Sequence, residues 1–188
     1  MLGAAGGVAI PYLYPSLPDP AIADRDGLFR WLVVRDLGQE SAETRRVLAH
    51  RLEEECSTGI DWEAAGQGLD EPQRRRVWNN IVLLLQPWFV QKRDYYFELD
   101  QNDRPAYLDR LLDTFEIWQG VDALCPDETE DDGSSGEKRE LLSVLSTHVQ
   151  QWKEASPREE RQRTDRFLWA IQSRWVLRSL KKMDAPDD

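Results

Sequence analysis

The stretch from Arg76 to Leu99, RVWNNIVLLLQPWFVQKRDYYFEL, decides how the rest of the chain is to be read. Between Ile81 and Val90 only Gln86 and Pro87 interrupt an apolar run, so a helix here offers little surface fit for water. Projected at about 3.6 residues per turn, Val77, Trp78, Ile81, Val82, Leu84, Leu85, Trp88, Phe89, Tyr95, Tyr96 and Leu99 fill one broad face. Leu83, Val90 and Phe97 lie on the other side. Such a helix has to be covered from several directions. The chain is therefore expected to be all-α, a single-domain irregular bundle of five or six helices around this central one. Pro87 removes a backbone donor and crowds the preceding turn, which predicts a kink near Leu83 to Pro87 or a break with restart at Pro87.

On the N-terminal side, Asp70-Glu71-Pro72-Gln73 reads as the start of that helix, with Asp70 as cap, Gln73 reaching back and Pro72 in the first turn. A connector holding Ile60, Trp62 and Leu69 precedes it. Before the connector, Ser41 can cap a charged helix on which Leu48, Leu52 and Cys56 recur every four residues, and Gly59 ends it. The run LFRWLVVRDL, 28 to 37, lies between Gly27 and Gly38 and is read as helix because no partner strand exists elsewhere. Residues 1 to 23 are apolar, rich in Gly, Ala and Pro, and free of charge before Asp19. They read either as an arm packing Ile10, Tyr12, Leu13 and Tyr14 on the bundle, or as the remnant of a membrane anchor tethering a soluble domain. The segment has neither the length of a complete spanning helix nor the basic start of a secretory signal.

On the C-terminal side, Asp103 and Pro105 open an amphipathic helix with Leu108, Leu111, Leu112, Phe115 and Trp118 on one face and Asp109, Asp113 and Glu116 on the other. The acidic, Gly- and Ser-containing stretch 126 to 136 is expected to be a mobile loop. Ser134 with Glu137 resembles a capping box for a helix carrying Leu141, Leu145, His148, Val149 and Trp152. Ser156-Pro157-Arg158-Glu159 then looks like the cap of a long last helix reaching Met183, and 184 to 188 reads as a disordered tail. On that helix Leu168, Trp169, Ile171, Trp175, Val176, Leu180 and Met183 occupy half the circumference, the bland reading being that the Trp side packs inward. The domain thus spans 24 to 183.

Charge is polarised by segment within a chain of 188 residues and formal net charge -11. From Asp94 to Asp132 thirteen acidic residues stand against two basic ones, whereas Pro157 to Met183 holds eight basic and three acidic residues. The acidic balance argues against nucleic acid as a partner. It also predicts that the last helix lies beside the helix starting near Arg104, with its arginines partly neutralised at home. Left bare, Arg163, Arg166, Arg174, Arg178 and Lys181 would instead form a face for an anionic partner or a membrane surface.

Catalytic chemistry has little to stand on. No phosphate loop, dinucleotide fingerprint, nucleophile elbow or zinc spacing occurs. His50 and His148 are the two histidines, and no Glu precedes either by three residues, as a dinuclear bundle site would need. Cys56 and Cys125 are too few for a disulfide framework. No cofactor or metal is expected. The sequence reads first as a non-enzymatic helical interaction or scaffold module whose partner is another protein. The alternative is a bundle that binds a small apolar ligand beside the Pro87 kink, lined by Trp88, Tyr95 and Tyr96.

Overall fold

A computed structural model of the chain describes residues 16–125 and 141–183. The fold is all-α: seven α-helices and, among the described residues, no strand. They are α1 (Arg25–Val34), α2 (Ala42–Ser57), α3 (Trp62–Gly66), α4 (Glu71–Glu98), α5 (Arg104–Trp118), α6 (Leu141–Ala155) and α7 (Arg158–Met183), with short 3-10 turns at Leu37–Gln39 and Gln119–Leu124. The five-residue α3 falls in the connector, where the sequence suggested no helix; the Asp61 carboxylate accepts from the Ala64 N–H and starts it. Residues 1–15 of the arm or anchor remnant expected over 1 to 23, the acidic loop, the Ser134–Glu137 cap and the tail lie outside the described residues.

Helix starts follow from short polar side chains that satisfy otherwise orphaned amides. Asp24 accepts from Gly27, Ser41 from Thr44, and Asp70 with Gln73 forms the reciprocal box that opens α4. At the end of α2, Gly59 has φ +84°, a left-handed value that a side chain would make costly. The cap expected for α7 differs. The Ser156 hydroxyl donates to the Trp152 carbonyl at 2.6 Å, closing the end of α6, and α7 begins after Pro157, whose carbonyl accepts from Arg161. With so short a turn between the helices, the hydroxyl meets the outgoing carbonyl of α6.

Helix α4 is the centre. It packs against α1, α2, α5, α6 and α7 and runs through Pro87 without a break. Pro87 leaves the carbonyl of Leu83 without its helical donor, at a turn where Leu83 and Gln86 are exposed. The core contains Trp78, Ile81, Leu85, Trp88 and Phe89 together with Leu28, Leu32, Leu48, Leu52, Trp62, Leu111, Val149 and Phe167. Two polar residues that the apolar pattern gave no reason to bury also lie in α4's inner surface. Asn80 donates from Nδ2 to the carbonyls of Leu32 (2.8 Å) and Arg35 (2.7 Å) and accepts from the Leu37 amide (3.0 Å), so it fastens the end of α1 to α4. Arg93 donates from Nε to Asp94 (2.9 Å) and from Nη1 to Thr164 (3.1 Å), and it pairs with Glu160, tying α4 to α7.

Candidate functional site

Trp88, Tyr95 and Tyr96 do not converge. Trp88 is 1% exposed, edge-on to Phe115 at 5.6 Å and tilted against Trp118 at 5.2 Å. Tyr95 lies roughly 10 Å further along the helix, half exposed and edge-on to Tyr107. Tyr96 is partly buried among Phe97, Tyr107 and Phe167, with the Arg104 guanidinium 5.0 Å above its ring. The enclosure of Trp88 counts against a ligand site at Pro87. The buried indole N–H groups of Trp88 and Trp118 have no acceptor in the structure. A trapped water would satisfy them, as it commonly does for enclosed polar atoms.

Candidate nucleophiles and ligands are equally scattered. Cys56 is a buried thiol whose pKa is pushed up to about 12, first by burial and then by the charges of Glu53 and Glu55, so it stays protonated and unreactive at neutral pH. His148 stacks on Trp152 at 5.6 Å, both rings partly buried along α6. Burial likewise raises the pKa of Tyr107, whose hydroxyl donates to the Lys92 carbonyl. Among the described residues, no group of three or more His, Cys, Asp or Glu side chains could hold a metal.

The basic stripe of α7 is split by the fold. Helix α7 lies against α5, and Arg174 grips the Asp109 carboxylate with two donors, Nε at 2.7 Å and Nη2. Arg178 meets Asp113 at 2.6 Å and Glu116 at 3.7 Å and donates to the Asp109 carbonyl. Arg163 sits 3.5 Å from Asp94 and over the Phe97 ring. The hydrogen bond from Arg174 holds the Asp109 carboxyl below its usual range, and the charges of Arg174 and Arg178 add to the effect. Arg166 and Lys181 are exposed, and neither has an ion pair among the described residues. Three of the five expected cations are therefore occupied within the chain.

The apolar half of α7 does not behave as the bland reading expects. Among the described side chains of α7, only Phe167, Ala170 and Thr164 are buried, with Leu168 and Ile171 partly so. Trp169 is 71% exposed, Trp175 58%, and Val176, Leu177 and Leu180 are also open. At about 100° per residue, Trp169, Ser173, Val176 and Leu180 fall within about 60° of one another, roughly opposite Thr164 and Phe167. Trp175 lies to one side, at the lip of a groove of about 680 Å³ between α5, α6 and α7. Leu112, Phe115, Leu168 and Ile171 give that groove apolar walls, while Ser146, Gln150, Gln172 and Ser179 add uncharged polar groups. A second groove, about 440 Å³, lies between α1, α2 and α3 over Leu28, Leu32, Leu52 and Trp62.

The sequence carried a signal for the outward face. Apolar residues over half the circumference of α7 are more than one packed interface can cover. No protein-family model matches the chain, and neither a curated protein nor a solved structure matches it significantly.

Proposed function

We propose that this chain is a non-enzymatic helical interaction module, a scaffold that holds α7 in place so that its outward face can receive a helix of another protein chain. The observation that carries the reading is the second apolar face of α7: Trp169, Val176 and Leu180 are exposed on the side directed away from Thr164 and Phe167. Burying one face fixes the helix rigidly against α5 and α4, and a rigid helix loses little conformational entropy when a partner docks. Exposed large side chains scattered singly are ordinary, but Trp169, Val176 and Leu180 share one strip within little more than three turns, with Leu177 on its flank, and form a patch of the kind used in association.

The internal ion pairs favour a protein over a lipid surface as the partner. An interfacial helix on an anionic bilayer draws on a stripe of free cations beside its apolar face. Here Arg163, Arg174 and Arg178 already face Asp94, Asp109 and Asp113. On the flank of the ridge toward the Trp175 groove the residues are the uncharged Gln172 and Ser179, as at the rim of a protein interface, while the exposed Arg166 borders the other flank.

A photo-crosslinking amino acid placed at Val176, in cells that make the protein, tests the reading. Discrete protein adducts from position 176, absent when the same group is placed at the exposed Arg46 of α2, are the expected result. Adducts to lipid alone, or equal yields from both positions, overturn it.

A further inference from the structure

The ridge on α7 has a spacing that suggests its occupant. Trp169, Ser173, Val176 and Leu180 follow one another at steps of four, three and four residues, the pattern of a narrow coiled-coil seam, and the sequence continues it at Met183. A narrow seam meets one helix, not a plane. Resting on the reading of α7 as a docking surface, we propose that the helix it meets is α7 of a second copy of this chain, antiparallel, across a two-fold axis between Ser173 and Val176.

In that arrangement Trp169 of each copy lies against Leu180 of the other, and Ser173 against Val176. The small Ser173 near the axis lets the two backbones approach, while the indoles close both ends. The antiparallel direction follows from charge. A parallel pair would set the exposed Arg166 beside its own counterpart and align the two helix dipoles. The antiparallel pair keeps the two Arg166 side chains at opposite ends of the seam and opposes the two dipoles.

Area sets the strength. With about 200 Å² for a whole Trp and about 100 Å² for a Val or Leu, Trp169, Val176, Leu177 and Leu180 expose on the order of 300 Å² of apolar surface at the fractions observed. An interface of about 800 Å² per side carries roughly 450 Å² of apolar area, so this one falls below the standard size. The dimer is therefore a weak, reversible one. Two copies of net charge -11 also repel each other, and salt screens that repulsion. Dimerisation should tighten as salt is raised, the opposite of adsorption to an anionic surface.

Sedimentation velocity of the full chain across the micromolar range, at low and high salt, is the test. The expected result is a concentration-dependent dimer that strengthens with salt, is lost in Val176→Glu and in Leu180→Glu, and is kept in Arg46→Glu. Circular dichroism shows whether the variants remain folded, and the exposure of both seam positions makes that the expected outcome. A monomer at every concentration, or a dimer indifferent to Val176→Glu, overturns the proposal. Crosslinks from position 176 distinguish the two levels of inference: an adduct of twice the chain mass supports self-pairing, whereas an adduct only to a different protein sinks it and leaves the interaction module standing.

Discussion

Helices α4 and α7 are nearly equal in length, 28 and 26 residues, yet they treat polar and apolar residues in opposite ways. The buried helix hides Asn80 and Arg93; the outer helix shows Trp169 and Trp175 to solvent. The difference lies in what each helix has around it. Five helices pack on α4, α5 among them through Tyr107, Phe115 and Trp118, and a polar side chain inside that enclosure is tolerated because it has fixed partners: backbone groups of α1 for Asn80, and Asp94, Glu160 and Thr164 for Arg93. Helix α7 has neighbours on one side only, so apolar residues beyond that side stay uncovered. Amphipathic pattern states how much apolar surface a helix has; the number of its neighbours states how much of it can be buried.

The sharpest way to break the comparison is to truncate a large residue on each helix. Leu85→Ala, at a fully buried position of α4, should cost about 2 to 5 kcal/mol through lost transfer energy and a residual cavity. Urea unfolding measures this directly. A loss below about 1 kcal/mol would mean that the surroundings of α4 collapse readily and that its enclosure is looser than the structure describes.

Next in size is Asn80→Ala, which removes two donors and one acceptor from backbone groups at the end of α1. Stranding buried carbonyls and an amide costs on the order of 1 to 3 kcal/mol. Hydrogen exchange should speed up at Leu37, whose amide loses its acceptor. If Asn80→Leu were as stable as the parent, the three hydrogen bonds would be incidental to the joint between α1 and α4.

These two positions also mark what the sequence could and could not reveal. Ser41 and the Asp70 to Gln73 box were legible because a cap joins residues only three apart. Leu85 was legible because a run of apolar residues on the central helix has nowhere else to go. Asn80 was not, since its partners lie 43 to 48 residues away and only the folded chain brings them together. The α5–α7 neighbourhood could be read from opposed charge. The exposure of Trp169 could not, because spacing fixes which residues share a face and leaves open whether another helix covers it.

The salt-bridged seam between α5 and α7 permits a finer test. Asp109 has a lowered pKa in the folded protein because Arg174 donates to its carboxylate. A depressed carboxyl contributes stability that is present above the ordinary Asp value near 4, and loses it as pH falls through the lower folded value. Asp109→Asn should therefore be less stable than the parent at neutral pH, and the gap should close on acidification below about pH 4. The carboxylate is partly exposed, so the neutral-pH gap belongs in the range of surface pairs, about 0 to 1 kcal/mol, and shrinks with salt. A gap that persists unchanged at low pH would assign the effect to packing instead of charge.

The smallest expected effect is the most telling for α7. Trp169→Gln replaces an indole that is 71% exposed and absent from the packed core, so in dilute solution its stability should stay within about 0.5 kcal/mol of the parent. The same kind of change at Trp88 would remove a ring enclosed by Phe115 and Trp118 and should cost several times more, about 3 to 5 kcal/mol for truncation to Ala. Two tryptophans on two helices of one domain would then differ because one has neighbours and the other does not. Concentration supplies the remaining contrast. If the outward face of α7 is occupied by a second α7, parent and Trp169→Gln unfold alike when dilute. They diverge as protein is added, because only the parent gains stability by mass action. Thermal melts of both proteins over a wide concentration range measure this. A parent melting temperature that does not move with concentration, together with a large destabilisation by Trp169→Gln when dilute, would return that indole to the core of its own domain.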